Sequence, residues 1–310
     1  MAYETGTTTS YADLLTRIHT FLQANGWTLS GAVIYKGNVF AQLTANTDDL
    51  RVKGGQGESG GALVTPFSGY GRIYSQAYGD NVAFPATYHF FVHTNPDVFV
   101  CVLNYVTLNC QWLTFGELNK VGIWQGGQYY GASYTSAPTD WTVQFHNWYC
   151  DATDKNGHYR AIGLGYFWAA DDNNGDYYGN LHMVCDLDGA VGDWIDNHGL
   201  QGGPNFNGSF LARDLVPYGP NTFNSQATLV PVHVYASRPD VFCSILGETG
   251  HTRYINIKHY NIGDIITLGA EKWMVFPHQK KSSSTLTDGN TILESGNTGL
   301  LGFAVRYDGP

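Results

Sequence analysis

Thr87-Tyr88-His89-Phe90-Phe91-Val92-His93, Val98-Phe99-Val100-Cys101-Val102-Leu103-Asn104 and Gln111-Trp112-Leu113-Thr114-Phe115 are three short runs rich in β-branched and aromatic residues. Pro96-Asp97 separates the first two: proline fixes φ and the aspartate side chain can bond neighbouring N–H groups, which is turn chemistry. Such runs read as β-strands. Comparable runs recur at residues 31–35, 38–44, 72–77, 141–148, 159–168, 181–186, 227–236, 241–246, 255–259, 272–276 and 301–307. Turn clusters at 125–128, 171–176, 202–204 and 282–284 punctuate them. Strands this frequent, with almost no helix between them, predict a mainly β chain of antiparallel β-sandwich or barrel modules rather than βαβ units.

One N-terminal amphipathic helix completes the expectation. Ser10 is placed as N-cap with Asp13 three residues on, a capping-box spacing. Leu14, Leu15, Ile18, Phe21 and Leu22 form one apolar stripe, and Asn25-Gly26 ends the helix. A helix over 10–25 must dock this stripe, on its own domain or on a neighbouring subunit. Leu14, Ile18 and Phe21 are therefore the candidate assembly-interface residues. The polar segment 5–10 ahead of them is expected to be an extended arm.

The chain divides on this reading into an arm and helix (1–26), a first β-module (27–150) and a second (151–310), with one intertwined β domain as the alternative. Pro-Asp-Val-Phe occurs at 96–99 and again at 239–242, each time after a histidine-containing strand and before an apolar one. That pair points to a duplicated hairpin, or to a chance match in a turn-rich chain.

Composition narrows the function. The 310 residues include 45 aromatics when Phe, Trp and Tyr are counted together, 38 glycines and only 14% charged residues, with a net charge of −10. An acidic chain whose densest basic spot is Lys280-Lys281 is not expected to bind nucleic acid. No apolar run is long enough for a helical membrane span, and the first residues lack the pattern of a signal peptide, so assembly in a cytoplasm is expected. The five cysteines contain no Cys-x-x-Cys and read as reduced, buried thiols.

Motifs with catalytic potential fail on context. Gly57-Glu58-Ser59-Gly60-Gly61 matches Gly-x-Ser-x-Gly, but a nucleophile elbow needs a strand before the serine and a helix after it, and Pro66 follows too soon. A serine hydrolase using Ser59 is thus the remote alternative. His89 and His93 lie four apart on a strand, roughly 13 Å at ~3.3 Å per residue, so they cannot share a metal. The acidic turns around Asp172 and Asp186 lack EF-hand spacing. No cofactor, metal or catalytic residue is expected. Tyr129-Tyr130 and Tyr177-Tyr178 sit beside turns, where exposed rings could stack on sugars.

The opening segment, Tyr3-Glu4-Thr5-Gly6-Thr7-Thr8-Thr9-Ser10-Tyr11-Ala12-Asp13-Leu14-Leu15 through Phe21-Leu22 and Asn25-Gly26-Trp27, resembles the start of virion structural proteins of tailed bacteriophages. The resemblance continues in Trp112-Leu113-Thr114-Phe115-Gly116, in Trp273-Met274-Val275-Phe276-Pro277 and in Gly302-Phe303-Ala304-Val305-Arg306-Tyr307. It implies a non-enzymatic β-rich component of the tail or baseplate, assembled in the host cytoplasm into the virion with copies of itself and other virion proteins. A glycan-binding adhesin or capsid decoration protein, touching host-surface glycan, is the alternative.

Overall fold

The computed structural model describes residues 1–64, 69–75, 82–136, 142–143, 183–186, 194–196, 228–236, 244–257, 259–277, 281 and 301–309. In chain order the first elements are β1 (Ala2–Thr8), α1 (Tyr11–Ala24), β2 (Thr28–Ser30), β3 (Val33–Lys36), β4 (Val39–Ala45) and β5 (Asp49–Gly55). Then come β6 (Gly57–Ser59), β7 (Ala62–Val64), β8 (Tyr70–Tyr74), β9 (Ala86–His93), β10 (Val98–Val106), β11 (Asn109–Glu117) and β12 (Asn119–Lys120). The middle holds β13 (Gln128–Ala132), β14 (Tyr134–Ser136), β15 (Thr142–Val143), β16 (Met183–Asp186) and β17 (Trp194–Asp196). The last are β18 (Val230–Ala236), β19 (Ser244–Asn256), β20 (Ile265–Leu268), β21 (Glu271–Pro277) and β22 (Leu301–Arg306). Among the described residues the chain is mainly β with one helix, as its strand-rich pattern predicts.

Among the described residues three large antiparallel sheets stack, and β6 and β7 form a separate two-stranded one. The central sheet runs β1-β9-β10-β11-β13-β16-β17, the N-terminal sheet β15-β14-β8-β5-β4-β3-β2, and the C-terminal sheet β12-β19-β22-β21-β20 with β18 also on β19. Side chains alternate across a strand, so a sheet with one wet face shows alternating polarity. β10 does not alternate, because both of its faces are core. Phe99, Cys101 and Leu103 join Leu43, Leu50, Val52 and Ile73 of the N-terminal sheet. Val98, Val100 and Val102 join Val232, Met274, Phe276 and Phe303 of the C-terminal sheet.

Two of the crossings between layers are made by adjacent strands. β13 leaves the central sheet and continues as β14 in the N-terminal sheet through Ser133, whose hydroxyl accepts from the Trp112 N–H (2.8 Å) and whose N–H donates to the Trp112 carbonyl (2.9 Å). β11 likewise hands over to β12, which pairs with β19. β13 also pairs with β16. Strands from the two halves of the chain therefore pair with one another, β12 with β19 and β13 with β16.

The helix behaves as capped: Ser10 Oγ accepts from the Asp13 N–H (3.1 Å), while Asp13 Oδ2 accepts from the Thr9 N–H (2.9 Å). Two expectations are corrected here. The segment 5–10 is not a free arm, since β1 pairs with β9 along all seven residues, from Ala2↔Val92 to Thr8↔Ala86. The stripe is used within the chain: Leu14 and Ile18 are fully buried and Phe21 nearly so, packed in the core under the N-terminal sheet. A side chain enclosed by its own core has no surface for a neighbour, so the intramolecular docking is the one observed.

Pro96-Asp97 lies in the turn between β9 and β10, with a cis Asn95-Pro96 bond, and Val98-Phe99 opens β10. Its counterpart at 239–242 lies outside the described residues, although the strands flanking it, β18 and β19, also pair antiparallel.

Candidate functional site

A loop between β12 and β13 combines order with apolar exposure. Lys120 organises it: its Nζ donates to the carbonyls of Gly126 (3.0 Å) and Trp124 (3.3 Å), pairs with Glu117 (3.1 Å) and lies 5.5 Å from the centre of the Trp124 ring. Gly127 has a φ of +97°, which side-chain-bearing residues rarely adopt, and a Cβ there would also stand 2.9 Å from the Lys120 stem, so the position favours glycine. Backbone bonds close the loop at Leu118 N–H to Gly127 O (2.9 Å) and tie it down at Gly127 N–H to Asp186 O (2.8 Å). The Val121 N–H donates to Leu246 O on β19 (2.8 Å).

This frame holds Ile123 wholly in solvent, with Val121 and, on the adjoining β19, Ile245 also exposed. Fully burying such a side chain yields about 1.5–3 kcal/mol. An isolated exposed Ile is ordinary, but apolar side chains on an ordered loop form a pre-shaped knob whose ordering cost is already met. Sequence reasoning missed the knob. Its signal was Val121 and Ile123 set among Gly122, Gly126 and Gly127, where apolar residues have no local core to enter.

The residues singled out for chemistry are dispersed. Ser59 ends β6 in a tight hairpin, paired with Ala62, with Gly60 and Gly61 both at positive φ. Glu58 Oε1 fastens that turn by accepting from Gly61 N–H (2.7 Å) and Ser30 Oγ (2.8 Å), and those bonds hold its carboxyl below the usual range. A hairpin replaces the strand-turn-helix that a nucleophile elbow needs, and among the described residues no hydrogen bond joins Ser59 to a histidine. Tyr129 and Tyr130 are corrected as sugar-stacking candidates: they are 2% and 0% exposed, one in each core. Tyr177-Tyr178, the turn at 171–176, Asp188, Asp193, Lys280, Cys150 and Cys243 lie outside the described residues. Cys101, Cys110 and Cys185 are buried free thiols, and burial pushes all three up, Cys110 to about 12.

Compared with known proteins, the chain matches no protein-family model and no curated protein.

Proposed function

We propose that this protein is a structural component of a tailed-phage virion, in the tail or baseplate, acting through protein–protein assembly. The ordered apolar knob of Val121, Ile123 and Ile245 carries the reading, because it offers a subunit contact without any further folding. The segments that resemble phage tail proteins support it. Though far apart in sequence they meet in space: Tyr3 packs edge-on against Tyr307, ring centres 4.9 Å apart, and β21 pairs with β22. Trp112, Phe276 and Phe303 share one core. Nothing favours the glycan-binding alternative at Tyr129-Tyr130, and no catalytic role is proposed for Ser59.

Light scattering of the purified protein, with and without Ile123→Asp, tests this. The native chain should assemble above the 34.1 kDa monomer, and the variant should fall back to monomer with an unchanged melting temperature. Equal mass distributions for the two would remove the knob, and a strictly monomeric protein that does not bind purified phage particles would remove the assembly role.

A further inference from the structure

Two buried histidines, His93 and His251, and the half-buried His89 line the interface between the central and C-terminal sheets. His89, Phe91 and His93 alternate along β9, and Phe91 belongs to the core shared with the C-terminal sheet. The His89 ring sits 5.2 Å from Phe276 of β21, and its Nδ1 bonds the Tyr3 hydroxyl (2.9 Å). His93, 1% exposed, stacks on His251 of β19, 9% exposed, with ring centres 4.2 Å apart and planes within 8°. Buried polar atoms normally find partners. Here His93 Nε2 has no hydrogen-bond partner, and the ring nitrogens of His251 have only a weak approach to the Pro96 backbone.

We infer that this histidine seam is an acid-sensitive joint, closed while the rings are neutral and opened between the two sheets when they are protonated. Two neutral imidazoles can stack in an apolar interface, whereas two imidazolium ions at that separation repel and lose their hydration. The charges facing the pair add to this. Arg306 of β22, Arg253 of β19 and the Met1 amino group all disfavour protonation of His251, and Arg306 and the Met1 group act on His93 as well. The carboxylates nearby are engaged elsewhere: Glu271 and Asp308 with Arg306, Glu248 with Arg253 and His233, and Asp97 with Lys36. The Pro96 backbone favours protonated His251 but is outweighed by burial. Burial holds His89 and His251 down to about 4 and His93 well below its ordinary value.

The direction follows from linkage. An unfolded histidine takes up its proton near pH 6.5, whereas folded His89 and His251 do so only near 4 and His93 well below its ordinary value. The stability tied to their neutral form is present above about pH 6.5 and is lost as the pH falls toward 4. Each histidine so coupled raises the opening constant about tenfold per pH unit in that window.

The test uses the full chain labelled with ¹³C-histidine, followed by NMR from pH 8 to 4.5, together with hydrogen exchange corrected for its intrinsic pH dependence. Three histidine signals should stay neutral to below pH 5, with His93→Phe and His251→Phe assigning two of them. At pH 5, peptides of β9, β19 and β21 should exchange at least tenfold faster than at pH 7, while β4 and β5 hold. The double variant His93→Phe/His251→Phe keeps two stacked rings without a titrating group and should lose most of that acceleration. Ordinary titration of the three signals near pH 6.5, equal acceleration in all sheets, or acceleration undiminished in the double variant would overturn the joint. If the double variant does not fold, the titration of the native chain decides alone.

Discussion

Gly302 shows how closely single atoms are fitted. A Cβ there would stand 2.4 Å from both Ile257 Cγ2 and the Phe276 carbonyl oxygen, and the second of these is backbone that cannot turn aside. Gly302→Ala should therefore cost about 1–3 kcal/mol, as overpacking of a filled core does. Urea titration checks it, and an unchanged midpoint would mean that β22 is looser than described. From sequence, Gly302 was one residue in an apolar run; nothing local announced that β19, β21 and β22 converge on it. Tyr129 and Tyr130 misled for the same reason. Their neighbours are glycines and glutamines, as on a surface, but the burial comes from strands distant in the chain.

At the scale of the element, the helix was legible because its determinants are local: a cap, a stripe at 3.6-residue spacing and a terminating Asn-Gly. Its partner was not, since a stripe says that something is covered and not by what. Ile18→Ala should lower the stability of the isolated chain by about 2–5 kcal/mol, the range for emptying a core site. Loss of assembly with full monomer stability would instead put the stripe at an interface. β1 reads as an arm because Thr, Glu and Gly give it a polar look, although its tyrosine and three threonines also suit a strand. Deleting residues 1–9 removes that strand and the Thr8 and Thr9 bonds to Asp13. The truncated protein should melt earlier in a calorimeter; an unaltered transition would restore the free arm. β5 was missed as well, its Leu50 and Val52 masked by the charges at Asp49, Arg51 and Lys53 between them.

At the scale of the whole molecule, the fold class was legible and the layering was not. Frequent strands separated by turns imply antiparallel sheets, yet two stacked sheets and three produce similar punctuation. The distinguishing feature lay in β10, whose residues are apolar at odd and even positions alike. That pattern marks burial on both faces, and each outer sheet docks on the same central one. It bears on the proposed virion role too, because an inner sheet shielded on both sides leaves the outer layers, loops and edges for contacts between subunits. The knob at Ile123 belongs to that periphery, and the histidine seam lies between two of the layers.

The three-layer arrangement is tested most directly by an alanine scan of consecutive positions along β10, with unfolding free energies measured for Phe99→Ala, Val100→Ala, Val102→Ala and Leu103→Ala. Phe99 and Leu103 face the N-terminal sheet, Val100 and Val102 the C-terminal sheet. Every one of the four should cost well over about 1 kcal/mol, the phenylalanine about 3–5. A strand with one solvent face would instead lose stability at alternate positions and stay within about 0.5 kcal/mol at the others. That alternation would contradict a central sheet buried on both sides.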